Sequence, residues 1–157
     1  MAFQTTVNQE LAAGIAGEYA DDSPRRDTGY ILLANDEQNP VIGAAYTLTD
    51  TAGQVQVGGD GDFAGVLVNP KTFANYSNLT ASLELPAGSQ GSLCTFGHIY
   101  VESQTAFEPG YIAAFDTATG AISAYADSTS AEGTVIENAK FIVLSGEAGA
   151  VGILQLG

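Results

Sequence analysis

The stretch Phe63-Ala64-Gly65-Val66-Leu67-Val68-Asn69-Pro70-Lys71 decides the fold. It begins with six consecutive residues of low polarity, rich in β-branched and aromatic types, and it ends at Asn-Pro. A run this short and this apolar predicts a strand that is buried on both faces, or nearly so. The strand must end before Pro70, which offers no N–H to a sheet and disfavours helical backbone at Asn69. We expect this strand to lie in the core, with opening strands before it and closing sheets after it.

Working outward from this strand, short apolar runs alternate with clusters of turn residues from Gly29 to the end of the chain. Roughly ten such runs, spaced about 10–14 residues apart with no long amphipathic helix between them, predict an all-β fold, an antiparallel β-sandwich or barrel. The runs are residues 30–34, 41–48, 54–57, 63–68, 81–85, 93–101, 111–115, 122–126, 141–144 and 151–156.

Turn chemistry joins several of these runs. Residues 116–120 predict a hairpin loop in which Gly120 can adopt a positive φ, and residues 50–53 are a second candidate hairpin. Residues 58–62, Gly-Gly-Asp-Gly-Asp, predict a plain hairpin turn. The one helical candidate is a turn or two in residues 71–76, after Pro70, since proline favours the first position of a helix.

The first 26 residues differ from the rest. Their apolar residues recur every four positions, but a step of four drifts by about 40° per turn around an α-helix. Gly14 and Gly17 weaken a helix further. We therefore predict an extended N-terminal arm, residues 1–26, that gains order by lying on another surface, and a β-sandwich domain, residues 27–157. The alternative is a frayed terminus without a role. The spaced apolar residues are Phe3, Val7, Leu11, Ile15 and Tyr19.

The charge balance excludes one class of partner. The chain has 18 acidic residues against 4 Lys and Arg, a formal net charge of −14. Nucleic-acid binding depends on Lys and Arg displacing counterions from phosphates, so we exclude DNA and RNA as partners. An acidic surface keeps a protein soluble and steers it toward a basic partner.

No segment predicts export or membrane insertion. The N-terminus lacks a basic region and a long apolar stretch, and no run approaches the roughly 20 apolar residues that span a bilayer. Cys94 is the only cysteine, so no intrachain disulfide forms. Its apolar neighbours predict a small buried thiol rather than a reactive one. We expect synthesis and maturation in a reducing cytoplasm.

The sequence predicts no catalytic, metal or cofactor site. His98 is the only histidine, and on a strand its side chain would lie about 13 Å from that of Cys94, too far for a catalytic pair. One His and one Cys do not make a zinc site. Residues 58–62 offer two carboxylates but lack the further ligands of a calcium loop. Nucleotide-binding and nucleophile-elbow motifs are also absent from the sequence.

Several segments, in order from end to end, carry a family resemblance. They are Met1-Ala2-Phe3-Gln4-Thr5-Thr6-Val7-Asn8, Ala16-Gly17-Glu18-Tyr19-Ala20 with Ser23-Pro24-Arg25, the stretch that ends at Lys71, Pro109-Gly110-Tyr111 with Asp116-Thr117-Ala118-Thr119-Gly120, Asn138-Ala139-Lys140, and Ala148-Gly149-Ala150-Val151-Gly152-Ile153-Leu154-Gln155-Leu156. Together they resemble the structural cement (head decoration) proteins of tailed bacteriophages. The 58–62 turn departs from this resemblance.

The resemblance implies a jelly-roll-like β fold and a role without catalysis. It implies a virion protein, made in the host cytoplasm, that binds the outside of the assembled capsid as a homo-oligomer and locks neighbouring major capsid proteins together. A homodimer at two-fold axes is favoured, and a homotrimer at three-fold axes is the alternative. The expected capsid contacts are Phe3, Val7, Tyr19, Arg25 and Arg26.

Two other functions fit an acidic all-β chain. One is a carbohydrate- or receptor-binding β module of a phage tail or surface structure. The other is a small hydrolase, because its paired carboxylates could come from distant strands; the absence of tryptophan for a sugar cleft counts against it.

Overall fold

The computed structural model describes residues 14–71 and 84–157. These residues form an all-β fold with nine strands and no helix, which confirms the predicted fold class. All but the first residue of the helical candidate 71–76 and most of the run 81–85 lie outside the described residues. The strands are β1 (Arg26–Leu33), β2 (Ala45–Leu48), β3 (Gln54–Val57), β4 (Phe63–Leu67), β5 (Gln90–Glu102), β6 (Ile112–Phe115), β7 (Ile122–Tyr125), β8 (Thr134–Ile142) and β9 (Val151–Leu156).

Five strands close into a barrel in the order β1-β3-β2-β4-β5, and β5 pairs again with β1. Fully buried Leu32, Tyr46 and Val55 belong to the core cluster of these strands. One pair, β1 with β3, is parallel, whereas we expected antiparallel strands throughout. Strands β2 and β3 form an antiparallel hairpin and run in opposite directions. Strand β3, rather than β2, lies beside β1 and runs parallel to it. A jelly-roll-like arrangement remains a prediction.

The remaining strands form a second sheet that continues from the same β5. Its order is β5-β9-β8-β6-β7, and every strand pair in it is antiparallel. In β5, residues up to Phe96 pair with barrel strands, and those from Gly97 onward pair with β9. A second core packs on this sheet, where the rings of Phe107 and Phe141 stack with centroids 5.0 Å apart.

Strand β4 lies between the two cores, as its apolar sequence predicts. Val66 belongs to the core of the second sheet and Leu67 to the core of the barrel. Gly65, with φ 144°, interrupts the side-chain alternation, and the register between β2 and β4 shifts nearby. This irregularity turns Ala64 and Val66 to opposite cores although they are two residues apart.

The two hairpin predictions are confirmed. Residues 116–120 join β6 to β7, with Gly120 at φ 71° and its N–H donating to the Asp116 carbonyl at 2.7 Å. Residues 50–53 join β2 to β3, with Gly53 at φ 79°. The hairpin prediction for residues 58–62 is wrong, because this loop links β3 to β4 across β2, which pairs with both. Its backbone is held by neighbouring loops, since the N–H of Gly59 donates to the Thr117 carbonyl at 2.7 Å.

The sequence did not locate most of β8. The apolar run at 141–144 overlaps only its end, since the strand begins at Thr134. Asn138 explains the difference, because its φ of 58° breaks the alternation and leaves Ile136 and Ala139 buried three residues apart. A spacing of three does not have the period of a strand, so the pattern conceals it.

We predict that Gly65→Ala destabilises the protein by about 1–3 kcal/mol, because its φ is unfavourable for alanine and the new Cβ would lie 2.7 Å from the Cys94 carbonyl oxygen. Gly88→Ala is the control, since Gly88 has φ 85° and open space around the Cβ position. Urea unfolding should give a smaller loss, about 1–2 kcal/mol, for the control. Equal losses for the two variants would contradict the close approach of β4 and β5.

Candidate functional site

Residues 14–25, here called the arm root, lie along the second half of β5. The N–H of Gly17 donates to the Tyr100 carbonyl at 2.7 Å, and the N–H of Tyr100 donates to the Glu18 carbonyl at 2.8 Å. The N–H of Ala20 then donates to the His98 carbonyl at 2.9 Å. The arm root thus covers the edge of β5 that β9 leaves open, and this part of the arm has its supporting surface within its own chain.

Two small residues wedge the arm root into the body. Ala16 is buried, and Gly17 has φ 86°. A Cβ on Gly17 would lie 2.3 Å from Cγ2 of Ile42 and 3.0 Å from the Leu67 carbonyl oxygen. The Gly17 carbonyl also accepts a hydrogen bond from the N–H of Asn69 at 2.8 Å. Glycine is therefore required at this position both by the backbone conformation and by the contacts.

Tyr19 and Arg25 are joined within the arm root. The guanidinium carbon of Arg25 lies 4.1 Å from the centroid of the Tyr19 ring, a cation–π geometry. The Tyr19 hydroxyl donates a hydrogen bond to Oδ1 of Asp27, at the start of β1. Burial, followed by this hydrogen bond, raises the pKa of Tyr19 well above its ordinary value, so the phenol stays neutral and remains a donor.

Asp21, Ser23 and His98 meet beside this pair. Oδ2 of Asp21 lies 2.6 Å from Nδ1 of His98, and the N–H of Ser23 donates to Oδ1 of Asp21 at 3.0 Å. The Ser23 hydroxyl donates to the same Oδ1 and lies 3.3 Å from His98 Nδ1. The hydrogen bonds from His98, then those from Ser23, lower the pKa of Asp21 to about 2.

The residue types of this cluster are those of a hydrolase triad, but its geometry is different. A triad places the serine on one ring nitrogen of the histidine and the carboxylate on the other. Here Ser23 and Asp21 share Nδ1, and the serine proton is given to Asp21 rather than directed to the ring. The contact of Asp21 with His98 joins the arm root to β5.

The five residues predicted as capsid contacts fall in three places. Phe3 and Val7 lie outside the described residues. Tyr19 and Arg25 pair with each other in the arm root. Arg26 is exposed at the first position of β1, opposite Phe96, which is 44% exposed. For all five, contact with another protein remains a prediction, and so does the division between arm and body at residue 26.

Sequence reasoning missed the wedge at Ala16 and Gly17 and the contact between Asp21 and His98. From the sequence alone, Gly17 is assigned no packing role and Asp21 is assigned no role. The partners of these residues are distant in the sequence, and a single sequence carries no signal that joins them.

The described residues also bear on metals, thiol chemistry and membranes. Within them, no three His, Cys, Asp or Glu side chains are grouped to hold a metal ion. Cys94 is fully buried, as predicted, and burial raises the pKa of its thiol to about 11. Residues 14–71 and 84–157 contain no helix with the length and apolarity needed to cross a membrane.

Comparisons with known proteins give a family and a related fold. A family model described as structural cement protein (E217 gp24/Pam3 gp6) matches residues 3–157. A chain in the capsid of Myoviridae phage XM1 has a similar fold, with a TM-score of 0.68 and 17% identity over 100% of this chain and 98% of that one. The head fiber gp8.5 N base of bacteriophage phi29 matches more weakly, with a TM-score of 0.47 and 12% identity over 85% of this chain and 95% of that one. No curated protein matches the sequence.

We predict that the Asp21–His98 contact contributes to stability above about pH 4 and that this contribution disappears toward pH 2. Asp21 has a pKa of about 2 in the folded protein against an ordinary value of 3.8. Folding therefore favours the ionised carboxylate, and protonation as the pH falls through this range removes the benefit. Urea unfolding from pH 2 to 6 should show the protein and Asp21→Asn converging at low pH. A difference between them that does not depend on pH would contradict this role of the carboxylate.

We predict that Gly17→Ala releases the arm root. The strained backbone and the clash with Ile42 should loosen the backbone around Arg25 and Arg26, whose side chains are already exposed, and speed cleavage there by trypsin roughly tenfold. Gly53→Ala is a matched control, because Gly53 has a similar φ of 79° and no atom near the Cβ position. Equal cleavage rates for the two variants would show that the wedge does not hold the arm root.

Proposed function

Because this chain belongs to the phage structural cement protein family, and so has a capsid-associated structural role in the virion, we propose that it binds the outside of the assembled shell and bridges neighbouring major capsid proteins. The family match over nearly the whole chain is the observation that carries this proposal. The role is structural rather than enzymatic, in agreement with the arrangement of Asp21, Ser23 and His98.

Residues 1–13 are the proposed attachment. The arm root is held by its own chain from Ala16 and Gly17 onward, so we assign the contact with a neighbouring protein to the segment before it. A chain of 13 residues spans at most about 45 Å. Phe3 and Val7 would supply apolar area at about 25 cal/mol per Å², against the entropy of ordering the segment. Anchoring the root lowers that entropy, because fewer residues become ordered on binding.

The charge of the body supports binding to a shell rather than association in solution. At a net charge of −14, free copies repel one another until the shell supplies favourable contacts. We propose a homodimer at the two-fold axes of the lattice, with a homotrimer at three-fold axes as the alternative. Repetition of the contact over many equivalent sites would then stabilise the shell as a whole.

We predict that the purified protein binds expanded, undecorated phage heads and that a variant lacking residues 2–13 does not. The deletion ends at residue 13 because Ala16 and Gly17, in the arm root, pack against the body and should be kept for stability. Co-sedimentation measures binding, and circular dichroism with urea unfolding checks that the truncated protein is folded.

The side-chain test compares the double variant Phe3→Ala/Val7→Ala with the control Gln4→Ala/Thr5→Ala. Loss of the two apolar anchors should weaken binding by at least about tenfold, since each buried side chain contributes about 1.5–3 kcal/mol. Unchanged binding after the deletion would remove the arm from the mechanism. Absence of binding by the intact protein would refute the proposed function itself.

A further inference from the structure

One edge of β1 lacks a strand partner among the described residues. Strand β3 pairs with β1 only from Ile31 to Leu33, so residues 26–30 have a ladder on the β5 side alone. The N–H of Ile31 donates to the Gly53 carbonyl at 2.9 Å, on the β3 side. Because backbone groups alternate along a strand, the N–H and C=O of Gly29 lie on that same side, beyond the start of β3. An open edge of this kind is a template for an added strand.

No contact among residues 14–71 and 84–157 requires glycine at position 29. Among the described glycines it alone combines a φ outside the left-handed region with no atom within 4 Å of a Cβ. Glycine in a strand interior weakens the strand, and it often marks a place where another backbone approaches closely. The open edge and this glycine coincide at one position, and they are independent observations.

A groove of about 590 Å³ adjoins the edge. Ile31, Val68 and Pro70 give it apolar walls, and Ile31 is 38% exposed. Among the residues that the structure describes, Asp27 alone lines it with an ionised side chain. The groove therefore suits an extended segment that places apolar side chains beside its own backbone.

We propose that the edge of β1 at Gly29 and this groove receive an extended, apolar segment of the major capsid protein, added as a strand beside β1. The segment carries no net negative charge, because the protein bears −14 and Asp27 favours a Lys or Arg on its partner. In solution the same repulsion disfavours a second copy of this chain as the occupant. This inference rests on the proposed function and adds a contact on the body to the one made by the arm.

The test uses full-length Gly29→Pro with the expanded, undecorated heads described above. Proline is tolerated in an edge strand where its nitrogen faces the open side, and the ladder to β5 does not use the Gly29 N–H, so the free variant should remain folded, as urea unfolding would show. Proline removes the N–H that an added strand would bind, so binding should weaken by at least about tenfold, as expected for the loss of one or two hydrogen bonds. Ala148→Pro, at an exposed residue outside the groove, should bind normally.

Hydrogen–deuterium exchange of the peptide containing Gly29 gives a second readout that needs no variant. The Gly29 amide should exchange rapidly in the free protein and slowly on the heads. Normal binding by Gly29→Pro, while the variant lacking residues 2–13 fails to bind, would overturn the inference and leave the proposed function intact. Protection of Gly29 in the free monomer would assign the edge to the chain's own residues. Protection that rises with the concentration of free protein would assign it to a second copy. Either result also overturns the inference.

Discussion

The backbone pairing of β5 is the constraint on which the rest of the structure depends. This strand of 13 residues bonds to β1 and β4 over its first half and to β9 and the arm root over its second. The change of partners occurs at Gly97, whose φ of 125° is accessible mainly to glycine. Both cores and the arm root therefore share one element, and a shift of β5 would disturb all three together.

The arm root concentrates the few cations of an acidic protein. Three of the four Lys and Arg residues lie there or beside it: Arg25, Arg26 and Lys71. Arg25 and Lys71 line the same surface groove, and Lys71 pairs with Glu18 at 3.3 Å. Such exposed pairs contribute little to stability. Lys140 is the only other Lys or Arg in the sequence. Away from the arm root the sequence is therefore strongly acidic, and the charge is distributed unevenly.

Much of the fold could be predicted from the sequence, because most strands keep a simple apolar pattern between turn residues. The runs at 54–57 and 151–156 coincide with β3 and β9. The apolar part of the stretch from Phe63 to Lys71 forms β4, which is buried between two cores as its sequence predicts. The prediction failed where a single residue breaks the alternation, as Asn138 does in β8. It also failed at the 58–62 loop, because strand order depends on pairings between distant residues that a local pattern does not contain.

The candidate site was predicted only in outline. The spaced apolar residues predict an arm, which stays a prediction, and the close contacts at Gly17 and the contact of Asp21 with His98 depend on the folded positions of β4 and β5. The attachment of the arm root also has a mechanical consequence. Tension on the chain before Gly14 enters the body through hydrogen bonds to β5, beginning at Tyr100. A load directed along this strand would act on those bonds in shear, so that several must break together, and both sheets would share the force.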